Sequence, residues 1–157
     1  MEYKKEFDNW NLVKKEIDNQ QSRLFFAEKD IWWCNIGINV GSEQDGKGGK
    51  FLRPVLIYKK INKRLFIGIP LTKILKEDTQ HIAFYFEYNL HSLIISQIRT
   101  YDSKRLVDKM GSISLYLHDK TKKQQTIYWV SYFFHIRVVT LEAYRCRIKL
   151  NRHHCHR

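Results

Sequence analysis

Few residues in this chain have both the type and the setting to do chemistry. Arg53 stands before Pro54 at the mouth of an apolar run, and Thr72 ends another, Ile67 to Leu71. Gln97 and Arg99 interrupt a third apolar stretch at its end, where side chains line a sheet rim. Each has an ordinary use: an edge arginine in a surface ion pair, a threonine in a turn or cap. Before them lies a loop with four of the seven glycines, Gly41 to Gly49, the composition of a mobile loop that lets a ligand backbone approach closely. Gly41 to Lys47 matches the start of a phosphate-binding G-x-x-x-x-G-K loop, but Gly48 replaces the Mg²⁺-holding Ser or Thr. Glu43 and Asp45 would repel phosphates and no apolar-periodic helix follows, which excludes nucleotide hydrolysis. Cys146, His153, His154, Cys155 and His156 are of zinc-ligand type, but their spacing matches no standard finger, so no metal is expected. There is no H-E-x-x-H signature and no assembled Ser-His-Asp set.

The elements that must position these residues are short. Tyr3, Phe7, Trp10, Val13 and Ile17 share one helical face, which predicts an amphipathic helix over 3–19 packed on the domain. From Asp30 the pattern changes to strands: Ile31 to Ile36, Pro54 to Tyr58, Leu65 to Ile69, His81 to Tyr88 and Leu93 to Ile98, with a hairpin turn at Asn62-Lys63. Trp32 and Trp33 must point to opposite faces; the outward one is expected under the N-terminal helix. Ser103 to Lys109 reads as a short helix capped by Asp102 or Ser103. The pattern predicts a mainly β, α+β domain: a small antiparallel barrel-like sheet with flanking helices. Residues 115–157 hold five of the seven histidines and show no amphipathic helix, so their fold is left open.

The chain has 157 residues, enough for one domain, with 43% hydrophobic and 14% aromatic residues, which excludes wholesale disorder. Lys and Arg number 28 against 16 Asp and Glu, giving +12, the balance of a protein with a polyanionic partner such as nucleic acid. Residues 115–157 alone carry nine basic and two acidic residues. Three scattered cysteines make no disulfide framework, so a reducing cytoplasm is expected. Neither a membrane span nor a signal peptide is apparent.

Five pieces in order resemble the MazF/PemK family of toxins from type II toxin–antitoxin systems. They are Asp30-Ile31-Trp32-Trp33, Asn39-Val40-Gly41-Ser42-Glu43-Gln44, Arg53-Pro54-Val55-Leu56-Ile57, Ile69-Pro70-Leu71-Thr72, and Gln97-Ile98-Arg99-Thr100 with Asp102 to Met110. The resemblance implies an SH3-like antiparallel barrel of the MazF/PemK/CcdB type over residues 25–114. An added helix would occupy 1–24, and 115–157 would be an atypical basic segment. It further implies a homodimer, a cognate antitoxin, and metal-independent, cofactor-free cleavage of single-stranded mRNA to 2′,3′-cyclic phosphate and 5′-hydroxyl ends. The family's catalytic arginine and threonine fall on Arg53 and Thr72. The alternative is a non-cleaving interaction protein on the same fold, a degenerate toxin or a gyrase-binding poison. The family normally ends in a helix after the segment that is Lys109 to Ser112 here; 115–157 is either a tail peculiar to this chain or out-of-frame sequence.

Such cleavage needs no protein nucleophile, because the RNA 2′-hydroxyl attacks its own phosphate. The enzyme must hold the in-line geometry and stabilise the phosphorane. Arg53 would donate a forked pair of hydrogen bonds and Thr72 one more, while Glu43 would shuttle a proton. Ser42 and Gln44, with Gln97 and Arg99, would meet unpaired bases, and Lys47, Lys50 and Lys73 would track phosphates.

Overall fold

The computed structural model describes residues 5–130. Helix α1 (Phe7–Asn19) is followed by seven strands: β1 (Asp30–Asn35), β2 (Leu52–Lys60), β3 (Leu65–Thr72), β4 (His81–Phe86), β5 (Asn89–Ile94), β6 (Arg99–Asp102) and β7 (Leu106–Ser112). Helix α2 covers residues 115–130. Met1–Asp119 forms one compact unit and a second begins at Lys120. All strand pairs are antiparallel, in the order β4-β5-β3-β2-β1-β7 with β6 also on β3, and the sheet curls into a half-barrel. The small antiparallel barrel expected from the residues is therefore the observed fold.

Alternation explains the core. Trp32, Cys34 and Ile36 turn inward from β1 and its end, meeting Val55 and Ile57 of β2, Phe66 of β3, Tyr101 of β6 and Leu106 of β7. Phe26, from the connector, tilts against Phe66 at 5.3 Å between ring centroids. Trp33, expected under the N-terminal helix, is instead exposed, because α1 packs through Trp10 and Ile17 on Ile38 and Phe51. The β2–β3 turn is held by Asn62, whose Oδ1 accepts the N–H groups of Arg64 and Leu65. β1 is fixed to β7 by Asp30, a buried carboxylate that accepts from Ala27 N, Ser112 Oγ and Lys109 Nζ at 3.0, 2.7 and 2.8 Å.

A smaller core joins α1 to the sheet: Trp10, Ile17, Ile38 and Phe51, with Val13 at its edge. Trp10 meets the Phe51 ring edge-on at 5.5 Å. Its indole lies where a Cβ on Gly37 would collide, and Gly37 is at φ +88°. Only glycine allows that approach and that backbone. Phe7, expected on the buried stripe, is half exposed, and Tyr3 lies outside the described residues.

Two expected elements are corrected. Ser103 to Lys109 is not a helix: a single 3₁₀ turn (Ser103–Arg105) capped by Asp102 leads into β7. Pairing with β1 along Cys34↔Leu106 and Trp33↔Asp108 overrides the helix-forming lysines. The strand expected at Leu93 to Ile98 ends at Ile94, and a 3₁₀ turn (Ile95–Gln97) follows. The fold left open beyond Leu115 is helical over residues 115–130, where the first turn of α2 seats His118 Nε2 2.9 Å from the Tyr58 carbonyl oxygen. The zinc-type residues Cys146 and His153 to His156 lie outside the described residues.

Two outcomes test this packing. Trp10→Ala should lower the free energy of unfolding by about 3 kcal/mol, because the burial of the indole is forfeited and a cavity is left; a fall of under about 1 kcal/mol in urea titrations would show that α1 is not anchored this way. Asp30 is raised by burial but pulled further down by Lys109, Ser112 and the Ala27 N–H, so its folded pKa lies below its ordinary 3.8. Its contribution is present above that ordinary value and is lost as pH falls through the folded pKa. Asp30→Asn should therefore cost about 2 kcal/mol at pH 7, with Lys109 half exposed, and the gap from wild type should close below pH ~4.

Candidate RNA-cleavage site

The site lies where two strands part. β2 and β3 pair from Lys60↔Phe66 to Val55↔Pro70; from Leu71 onward β3 pairs with β5 through Leu71↔Leu93 and Thr72↔Ser92. Pro54 brings no N–H with which to extend the β2–β3 ladder. Continued past that point, the register sets Arg53 across from Thr72. Arg53 spans the gap itself: Nη1 donates to the Leu71 carbonyl at 3.1 Å and Nε to the Asp45 carbonyl at 2.8 Å. Both acceptors are neutral, so the guanidinium is oriented without a direct ion pair among the described residues. Nη2 donates to no atom among the described residues and is left for a ligand. Burial pulls the Arg53 pKa below its ordinary value, opposed by Asp45 and Tyr101.

Thr72 is half-buried at the end of β3. Its Oγ1 accepts the Ile74 N–H at 3.1 Å, which fixes the hydroxyl and leaves its proton to donate. Lys73 follows, exposed. Arg53 bonds the carbonyl of the residue before Thr72, and both side chains are partly open to solvent.

The glycine-rich loop forms the other wall, and it is closed by hydrogen bonds rather than loose. The Ile36 and Gly37 N–H groups converge on the Phe51 carbonyl, Gly46 N donates to Gly37 O at 2.7 Å, and Lys47 and Leu52 exchange backbone bonds. Gly46 lies so close to the Phe51 carbonyl that a Cβ there would collide with it. No helix follows Lys47, in keeping with the rejected phosphate-loop reading. Asp45, read from the sequence only as a repulsive charge, organises the loop: its Oδ1 accepts Asn39 N at 2.6 Å and its carbonyl holds Arg53.

The remaining expected residues divide. Ser42, Glu43, Lys47 and Lys50 are exposed on this loop. The Glu43 side chain bonds neither Arg53 nor Thr72 among the described residues. Gln44 and Gln97 come together, Gln44 N donating to Gln97 Oε1 at 3.4 Å. Arg99 is tied into the framework: its two terminal nitrogens donate to Asn39 Oδ1 and the Ile36 carbonyl, and it stacks over Tyr101. Among the described residues there is no cluster of His, Cys, Asp and Glu able to hold a metal, and no helix long and apolar enough to cross a membrane.

Comparison with known families bears on this geometry. A model of the PemK-like, MazF-like toxins of type II toxin–antitoxin systems matches residues 27–129. The chain belongs to this toxin family. The match covers Arg53, Thr72, the glycine-rich loop and all of β1 to β7, and it takes in most of α2. It leaves out α1 and the residues before it. Among solved structures, the fold is similar to an endoribonuclease in complex with its cognate antitoxin from a mycobacterial species. The TM-score is 0.52 at 13% identity, over 66% of this chain and 93% of that one. No curated protein matches the sequence.

Sequence reading missed one residue that holds this toxin's loop. Lys5 Nζ donates to the Asn39 and Gly41 carbonyls at 2.6 and 3.0 Å and pairs with Asp45 at 3.0 Å. No local signal marks it, because its partners lie more than thirty residues away. Lys5→Ala should speed amide exchange at Asn39 and Gly46 by about fivefold, the loss of roughly 1 kcal/mol of local restraint. Unchanged exchange there would remove Lys5 from the loop's support.

Proposed function

We propose that this toxin is a metal-independent endoribonuclease that cuts single-stranded mRNA, and that a cognate antitoxin neutralises it. The observation that carries the reading is Arg53 reaching across the parting of β2 and β3 to the Leu71 carbonyl, one residue before Thr72, while it forms no ion pair with a carboxylate among the described residues. The likeness in fold to an endoribonuclease supports it.

In this reading the scissile phosphate lies against Arg53 Nη2 and the Thr72 hydroxyl. The ribose O2′ attacks phosphorus and loses its proton, the P–O5′ bond breaks, and O5′ leaves with a proton. The products are a 2′,3′-cyclic phosphate and a 5′-hydroxyl. Arg53 and Thr72 stabilise the charge on the phosphorane oxygens, where preorganised donors act most strongly. Arg53 does not serve as the base, since a guanidinium holds its proton in proteins. Glu43, on the exposed face of the loop, carries the proton. Ser42, Gln44, Gln97 and Arg99 contact bases, and Lys47, Lys50 and Lys73 follow the backbone. The active form is a homodimer in the cytoplasm, and no cofactor takes part.

Purified protein incubated with a long single-stranded RNA in EDTA should yield discrete fragments. Arg53→Ala should cut at least about 100-fold more slowly, and Arg53→Lys should recover little, because an ammonium lacks the fork. Thr72→Ala should lose about tenfold or more. Full cleavage by Arg53→Ala, or intact RNA with folded wild-type protein, would overturn the assignment; intact RNA would leave a non-cleaving interaction protein on this fold.

A further inference from the structure

A second concave, positively charged site lies outside the cleavage trough, with one wall built by a helix that the family model does not match. A cavity of about 480 Å³ opens between the C-terminal half of α1 and the turn after β6, lined by Lys14, Lys15, Ile17, Asp18, Arg23, Asp102, Lys104 and Arg105. Five cations face two carboxylates. Asp102 is already saturated: Arg23 Nη1 and Nη2 grip its two oxygens at 2.5 and 3.3 Å, and Lys104 N donates to it at 2.8 Å. Lys104 and Arg105 turn to neutral acceptors instead. Lys104 Nζ donates to the Asp18 backbone carbonyl, and Arg105 Nη1 to the Asn35 carbonyl at 2.8 Å, with its guanidinium over Trp10. Carbonyls orient these groups and leave their charge in place. Lys14 and Lys15 are exposed and form no ion pair among the described residues. Among the lining residues only the Asp18 carboxylate is left to offset this excess.

We propose that this cavity takes a phosphate group of the RNA strand beyond the cleavage trough, so that α1 extends the RNA-binding surface. The inference rests on the reading of the protein as an RNA-cutting toxin. Cationic groups converging in a small cavity suit a compact oxyanion that accepts from several donors. An acidic peptide is disfavoured because Ile17 is the sole apolar residue in the lining and offers no anchor pocket for a side chain. Continuity with the trough comes through Asn35. Its carbonyl holds Arg105, its side chain donates to the Lys50 carbonyl at 2.7 Å, and it pairs with Leu52, the neighbour of Arg53. Arg105, in the cavity's lining, and Lys50, beside the trough, are thus anchored to the same residue.

The test is the salt dependence of binding by the full chain carrying Lys14→Ala and Lys15→Ala. These side chains are exposed, so the fold and thermal midpoint should be unchanged. The probes are 2′-O-methyl single-stranded RNAs, which cannot be cut, one of about 30 nucleotides and one of about six, bracketing the span of a typical single-strand site. With the long probe the variant should bind about tenfold more weakly at low salt, and the slope of log K against log salt should fall by about 0.7 for each phosphate that is no longer neutralised. The short probe should bind both proteins alike. An unchanged slope with the long probe overturns the proposal. So does a result in which inorganic phosphate shifts the Lys14, Lys15 and Arg105 amide resonances while the RNA slope stays the same, since the site would then serve a small anion. A reduced slope in a protein that cuts no RNA would sustain this cavity and sink the nuclease reading. No binding of the long probe by wild type would sink both.

Discussion

The arrangement depends on how an arginine is held without being neutralised. Arg53 reaches across the point where β2 and β3 separate and donates to two backbone carbonyls, Asp45 and Leu71. A carboxylate partner would fix the guanidinium as firmly but would cancel the field a phosphate needs. Carbonyl partners fix direction and keep the charge. The nearby Asp45 side chain is turned to other uses, accepting from Asn39 N and pairing with Lys5. This division of one residue's backbone and side chain lets the loop be rigid and Arg53 remain available.

The loop is therefore part of the site's framework and not a flexible cover. Two glycines fit close approaches that a Cβ would prevent, Gly37 beneath Trp10 and Gly46 beside the Phe51 carbonyl. Trp10 and Lys5 both come from the segment preceding the family match, so an addition to the fold buttresses the loop that orients Arg53. The same helix supplies one wall of the basic cavity. The extension thus acts twice, once by packing and once by charge.

Much of the fold could be read from hydrophobic period alone. Trp32, Cys34 and Ile36 announce the inward face of β1, and Asn62 announces the β2–β3 turn. The errors fell where local pattern and tertiary pairing conflict. The stretch from Ser103 to Lys109 is rich in helix formers, yet its backbone groups are claimed by β1. An unbroken apolar run from Leu93 to Ile98 does not reveal where a strand ends; β5 begins early because a tight turn at Glu87 and Tyr88, both at positive φ, reverses the chain without a glycine to mark it. The placing of Arg53 at the start of β2 and Thr72 at the end of β3 was legible through ordered short motifs. The roles of Lys5 and Asp45 were not, because they arise from contacts between distant segments. Arg99, read as a group on the rim, is half-buried in bonds to Asn39 and Ile36.

The central claim is that the substrate brings its own nucleophile to a trough that stabilises charge. The most direct measurement replaces a single ribose at the cut position of an otherwise ordinary RNA with 2′-deoxyribose and follows both binding and cutting. The account requires binding within about twofold of the parent strand, since the phosphate contacts are kept, and no cutting at that position. Cutting at the deoxy position would contradict it, because the attacking oxygen would then have to come from water or from the protein.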